Sequence, residues 1–266
     1  MPLLNLSSRR GLILGGAGLL LGTAAFAEEG EPKPVMRVAK RRKPAKPTSP
    51  APVEPPKPMD HVEGVDPEEA LARLVAGNGR YVSGFSAHPN GDLARRTQVA
   101  AGQTPFASIL ACADSRVAPE LIFDQGLGDL FVCRVAGNVV DDAILASLEY
   151  SVIHLGSTLI MVLGHERCGA VKATIDALDG KGSPDDVGTK IGTLAALITP
   201  SIRAVPANST DRLNDAVSMN ASHAAAEIFV NSPPLRARVL AGKLKIVAAR
   251  YDLDDGKVTP TRGEHG

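Results

Sequence analysis

Three residues of metal-binding type stand where two apolar runs end. Phe106-Ala-Ser-Ile-Leu-Ala-Cys-Ala-Asp-Ser-Arg116 passes through Cys112, and Met161-Val-Leu-Gly-His-Glu-Arg-Cys-Gly169 passes through His165 and Cys168. A buried parallel strand reads as a short apolar run, and its carboxyl end opens onto the crevice where α/β proteins bind ligands. Structural zinc sites usually fill all four tetrahedral positions with cysteine and histidine, whereas three protein ligands leave the fourth to water. A Cys-His-Cys set therefore points to chemistry at a metal. Taken singly, each residue has a plainer reading: free cysteine is among the most buried residue types, and a histidine beside Gly164 suits a turn.

Cys112-x-Asp114-x-Arg116 together with His165-x-x-Cys168 resembles the β-class carbonic anhydrases, over about Asp66 to Gly256. Gln103, Phe131, Arg134-Val-Ala-Gly-Asn138 and Glu149-Tyr150 coincide with the same pattern. The resemblance implies a central, mostly parallel β-sheet flanked by helices, an N-terminal helical arm that packs on a neighbouring subunit, and hence a homodimer or higher homo-oligomer. It implies one Zn2+ per chain on Cys112, His165 and Cys168, and reversible hydration of carbon dioxide to bicarbonate by attack of zinc-bound hydroxide. Gln103 would bind an oxygen of carbon dioxide or bicarbonate, and Phe131, Ala136 and Tyr150 would line an apolar niche completed across the dimer interface. Core packing is the ordinary use of such aromatic residues.

Two thiolates and an imidazole leave zinc with its charge roughly cancelled, so its water is less acidified than on a three-histidine site. Asp114 can accept a hydrogen bond from that water, and Arg116 can hold the carboxylate in a charge-assisted pair. In the family, breaking this pair lets the aspartate swing onto zinc and shut the site. Two departures stand out. Val135 occupies a place where the family often has Asn, which bears on local pairing. The chain also has no tryptophan, and Ile109 and Ala111 replace the Trp and Gly of the branch with an inhibitory bicarbonate site, so no bicarbonate allostery is expected. Relatives that hydrolyse carbonyl sulfide or carbon disulfide use the same ligands. A non-catalytic zinc or thiol module would leave Gln103, Asp114 and Arg116 unexplained.

The totals fit one globular domain with extensions: 266 residues, 44% hydrophobic and 22% charged. Lys and Arg number 29, as do Asp and Glu, so the overall balance supplies no electrostatic reason for a nucleic-acid partner. Three cysteines are an odd count, against a disulfide framework. Cys133, inside Leu130-Phe-Val-Cys-Arg134, belongs to no ligand pattern and reads as core. Residues 1–27 read as an export signal: Arg9-Arg10, an apolar run from Leu12, then Ala25-Phe-Ala27 as a cleavage site. The paired arginines resemble a twin-arginine signal; an ordinary secretory signal accounts for the same residues. The apolar run is shorter than a bilayer span needs, so a periplasm-like destination without a membrane span is expected. Residues 28–60 are rich in Pro and Lys and read as a disordered linker, leaving 61–266 as the β-carbonic-anhydrase-like domain.

Within that domain Asp66-Pro-Glu-Glu69 starts a helix that Gly77-Asn-Gly79 should end, and a second helix covers 93–101. Strands are predicted near 106–112, 130–134, 158–163 and 244–249. Helices are predicted near 119–123, 141–154, 170–178, 189–198 and 211–229. This alternation predicts βαβ units. An extended tail with an Asp-Gly turn follows at 251–258.

Overall fold

The structure, a computed structural model, describes residues 64–183, 186 and 188–261; the expected export signal and the linker lie outside the described residues. Five strands form one sheet: β1 (Ala107–Ala111), β2 (Leu130–Arg134), β3 (Leu159–His165), β4 (Lys245–Tyr251) and β5 (Val258–Pro260), in the order β2-β1-β3-β4-β5. The first four run parallel and β5 pairs antiparallel with β4. β1 and β3 are buried throughout, as strands covered on both faces must be, which is why their sequences are continuous apolar runs instead of alternating ones. The predicted tail is β5, reached through a turn at 252–257.

Eight helices are found among the described residues: α1 (Pro67–Ser83), α2 (Leu93–Val99), α3 (Pro119–Ile122), α4 (Asp142–His154), α5 (Gly169–Leu178), α6 (Ile191–Arg203), α7 (Arg212–Asn231) and α8 (Pro233–Leu240). One sheet face, with Ile109, Met161, Leu163 and Val247, packs on Ala70 and Leu74 of α1 and on Phe123. The other, with Leu110, Ile160, Val162 and Ile246, packs on α4, α7 and α8 through Leu148, Ala221, Ala224, Ile228 and Leu235. A third cluster joins Cys112 and Cys168 to α5, α6 and α7 through Val171, Ile198 and Val217. Among the described residues no helix is long and apolar enough to cross a membrane.

Several expectations need correction. α1 starts as predicted, with Asp66 accepting from Glu68 N–H at 2.8 Å, but it runs through Gly77-Asn78-Gly79 and stops at Ser83, where Gly84 is left-handed at φ 74°. Packing overrides the poor helix propensity of these residues. A Cβ on Gly77 would lie 1.8 Å from the Phe123 carbonyl oxygen, and buried Asn78 donates to Ile122 O (3.1 Å) and Gly256 O (2.9 Å) while accepting from Val258 N–H (2.9 Å). α1 lies on its own chain's sheet through Ala70 and Leu74, which find an apolar face there. α6 continues through Pro200 to Arg203. α8 was not foreseen: Pro233-Pro234 looks like a break, yet Ser232 caps the helix through Leu235 N–H at 3.4 Å and proline is at home in a first turn.

The α1–α3 junction depends on Asp124, whose side chain has no exposed surface. Burial alone would raise its carboxyl. Hydrogen bonds from Ala87 N–H (2.9 Å), from Arg80 and from His88 N–H (2.9 Å) outweigh that and hold it below its ordinary value. Replacing Asp124→Asn should cost about 2 kcal/mol at pH 7, since the N–H donors and Arg80 lose a buried anion. Because the folded value is lowered, the contribution is complete above the ordinary carboxylate value of about 4 and is lost as pH falls below it. Urea unfolding at pH 7 and pH 3 should show the wild type losing its margin over the variant at the lower pH.

Candidate metal centre

β1 and β3 pair in register, Ala111 opposite Leu163. Cys112, the residue after β1, and His165, the last residue of β3, therefore leave the sheet at the same edge. Cys168 precedes the first turn of α5, where free backbone N–H groups favour negative charge. All three residues are buried, and one ligand atom from each lies within 4.8 Å of the others. The two sulfurs are 3.9 Å apart. Zinc–sulfur bonds of about 2.3 Å in a tetrahedron would put them about 3.8 Å apart.

The histidine supplies the clearest sign of a missing partner. Nδ1 of His165 lies 2.8 Å from the Glu166 carbonyl oxygen, and a carbonyl only accepts, so Nδ1 carries the hydrogen and Nε2 presents a lone pair. Nε2 is buried with no hydrogen-bond partner among the described residues. Leaving a buried polar group unpaired costs roughly 1–3 kcal/mol, and a cation between the two sulfurs and this nitrogen removes that cost. The donor set, the sulfur spacing and the orphaned nitrogen all fit zinc.

The surroundings favour one thiolate, on Cys112. Cys112 is lowered to about 4, first by the hydrogen bond from the Cys168 thiol and, against the effect of burial, by His165 and the backbone N–H groups of Gly137 and Asp114. The same sulfur contact, with burial, pushes Cys168 up, while the N–H groups of Val171 and Ala170 at the start of α5 pull it down. Gly137 N–H donates to Cys112 Sγ at 3.2 Å from a 3-10 turn over Ala136–Asn138. That approach requires glycine: Gly137 has φ 72°, and a Cβ there would stand 2.7 Å from Ile198 Cδ1. Arg134, at the end of β2, donates to the carbonyl oxygens of Cys112 (3.1 Å) and Asp114 (2.6 Å). Sequence reasoning had assigned roles to neither Gly137 nor Arg134, although both sit in the quoted Arg-Val-Ala-Gly-Asn run.

Asp114 and Arg116 form a closed fork. Arg116 Nε and Nη2 donate to the two carboxylate oxygens at 2.9 and 2.7 Å, and Arg116 N–H adds a third bond at 2.9 Å. The Arg116 guanidinium hydrogen bonds hold the carboxyl well below the usual carboxylate range. Asp114 Oδ2 lies 3.8 Å from His165 Nε2, too far for a hydrogen bond, so the carboxylate edges the site without filling it.

The carbonic anhydrase family model matches residues 107–258. "Carbonic anhydrase 2" of Mycobacterium tuberculosis is 40% identical over 192 residues, 72% of this chain and 91% of the relative. The chain belongs to the β-carbonic anhydrase family. The carbonic anhydrase of Mycolicibacterium smegmatis is 39% identical over 193 residues, covering 73% of this chain and 92% of the relative. The solved structure of the β-carbonic anhydrase CcaA overlays with a TM-score of 0.55 at 26% identity, covering 72% of this chain and 87% of that one.

Within this β-carbonic anhydrase fold the expected pocket residues divide. Ala136 opens the 3-10 turn that carries Gly137 to Cys112. Phe131 on β2 and Tyr150 on α4 pack as a tilted ring pair with centroids 6.5 Å apart, and Tyr150 also meets His154 at 5.3 Å. Tyr150 is half exposed. Gln103 is exposed in the connection before β1, and within one chain no hydrogen bond of its side chain reaches the metal set. Val135 pairs locally through its backbone: its N–H donates to Ala111 O and its carbonyl accepts from Ala113 N–H, both at 3.2 Å.

Cys133 is a core residue, as expected, and burial pushes its thiol up to about 11. A raised thiol favours the neutral form in the fold, so its contribution is complete below the ordinary value of about 8.5 and disappears as pH rises toward 11. Iodoacetamide at pH 8 should alkylate Cys133 in the denatured protein and leave it unmodified in the folded one, as peptide mass spectrometry would show.

Proposed function

We propose that the chain binds one Zn2+ through Cys112 Sγ, His165 Nε2 and Cys168 Sγ and interconverts carbon dioxide and bicarbonate. The observation that carries this reading is the unpartnered, buried Nε2 of His165 facing two sulfurs 3.9 Å apart. When bound, zinc acidifies a coordinated water so that a hydroxide nucleophile is available near neutral pH. The protein's part is orientation. Asp114 Oδ2, 3.8 Å from Nε2, is placed to accept a hydrogen bond from a hydroxide held beside these ligands and would so orient it toward carbon dioxide. Arg116 occupies the carboxylate with its fork, keeps it anionic and so acceptor-only, and restrains it from moving onto the metal position. Arg134 steadies the Cys112–Asp114 backbone that carries both a ligand and the acceptor.

Two further parts of the reading concern context. The active unit is a homodimer: the family's substrate groups Gln103 and Tyr150 are exposed on one chain, and a second chain brings such groups to the metal. The reaction is assigned to a periplasm-like compartment on the strength of Arg9-Arg10, the apolar run and Ala25-Phe-Ala27.

Stopped-flow hydration of carbon dioxide with zinc quantified should give fast turnover at about one zinc per chain. Asp114→Ala should lower kcat about 100-fold with zinc retained, in the range of a lost acid–base contact. Arg116→Ala, which frees the carboxylate beside the ligands, should lower it about tenfold or more. Wild-type turnover by the Asp114→Ala protein, or zinc held elsewhere after Cys168→Ser, would remove the assigned roles. A single-chain mass by light scattering would contradict the dimer, and a cytoplasmic location on fractionation would contradict export.

A further inference from the structure

Only Glu166 and Arg167 separate the ligands His165 and Cys168, and the chain must turn from strand to helix between them. Arg167 makes that turn with φ 51°, a left-handed conformation that is costly for a residue with a Cβ and is kept only where surrounding structure enforces it. The enforcement comes from the far end of the chain. Glu166 N–H donates to Tyr251 O at 2.9 Å, and Leu253 N–H donates to Glu166 Oε2 at 3.4 Å. Arg167 Nη1 and Nη2 donate to Asp254 Oδ2 and Oδ1 at 2.8 and 2.7 Å, a two-bond fork. Asp254 is itself placed by Asp252, which accepts from Asp254 N–H at 2.9 Å and Asp255 N–H at 3.2 Å. The turn is fastened to α1 by buried Asn78, through Gly256 O and Val258 N–H.

We infer that Asp254, through its fork on Arg167, is a positioning residue for the His165–Cys168 ligand pair and sets how long the metal is retained. The inference rests on the ligand set proposed above. Neither Asp254 nor Arg167 offers an atom to the metal; the fork holds the one strained residue whose conformation decides whether Cys168 Sγ and His165 Nε2 converge. Because Arg167 and Asp254 side chains are 50% and 72% exposed, the effect belongs below the 10–100-fold typical of partners that orient metal ligands, and salt should weaken it.

The test uses the full zinc-loaded chain and measures zinc transfer to an excess of chromogenic chelator. Asp254→Ala should release zinc about fivefold faster at low ionic strength, and the difference should narrow in 1 M NaCl. Glycine adopts a positive φ freely, so in an Arg167→Gly background the Asp254→Ala change should add nothing. With Co2+ in place of Zn2+, the ligand-field bands should shift in Asp254→Ala and not in the neighbouring control Asp255→Ala. Equal release rates for wild type and Asp254→Ala would overturn the inference, as would a fivefold effect that persists in the Arg167→Gly background. A wild-type chain that takes up no zinc would overturn the ligand assignment itself, and this inference with it.

Discussion

The parallel register between β1 and β3 is the constraint on which the site depends. With Ala111 opposite Leu163, the two strands deliver Cys112 and His165 to one edge, whereas a slip of one residue would turn each strand's side chains to the opposite faces. The register is held by burial on both faces: Ile109, Met161 and Leu163 lie under α1, and Leu110, Ile160 and Val162 lie under α4 and α7. β2, paired with β1 on the other side, adds Arg134 at the same edge and leads into the 3-10 turn of Gly137. The third ligand arrives with the helix that follows β3.

Charge is managed by fixed donors more than by neighbouring cations. Cys112 receives the Gly137 N–H, and Cys168 sits against the first N–H groups of α5. These donors belong to the backbone, so negative sulfur is accommodated without long side chains that would have to be ordered. The guanidinium groups near the centre are committed elsewhere, Arg116 to the Asp114 carboxylate and Arg134 to the carbonyl oxygens of Cys112 and Asp114. The arrangement leaves an anionic acceptor beside the ligands and an apolar cluster, with Val139, Val171 and Ile198, behind them.

Much of this was legible from residue order. Five-residue apolar runs ending in Cys or in Gly-His are recognisable as strands because parallel strands are dry on both faces, and the convergence of Cys112, His165 and Cys168 could be read from them. Local signals failed where a distant contact decided the outcome. Gly77-Asn78-Gly79 reads as a stop, but the space beside the Phe123 carbonyl and the groups waiting for the Asn78 amide lie 44 or more residues away in sequence. Ser232-Pro-Pro carried a legible helix start that its two prolines masked. For Gln103 and Tyr150 the obstacle was different. Their assigned role needs a second surface, and one chain leaves them exposed.

Asn78 joins the first described helix to the turn before the last strand, and this has a consequence for the order of assembly. A chain growing from its amino end presents Cys112, His165 and Cys168 long before residues 245–258 exist. Until then His165 has no β4 beside it, the Glu166 N–H lacks the Tyr251 carbonyl, and Asn78 lacks two of its partners. Nascent chains would therefore expose a complete but unbraced set of soft side chains until β4 and β5 are made and close the sheet beside them.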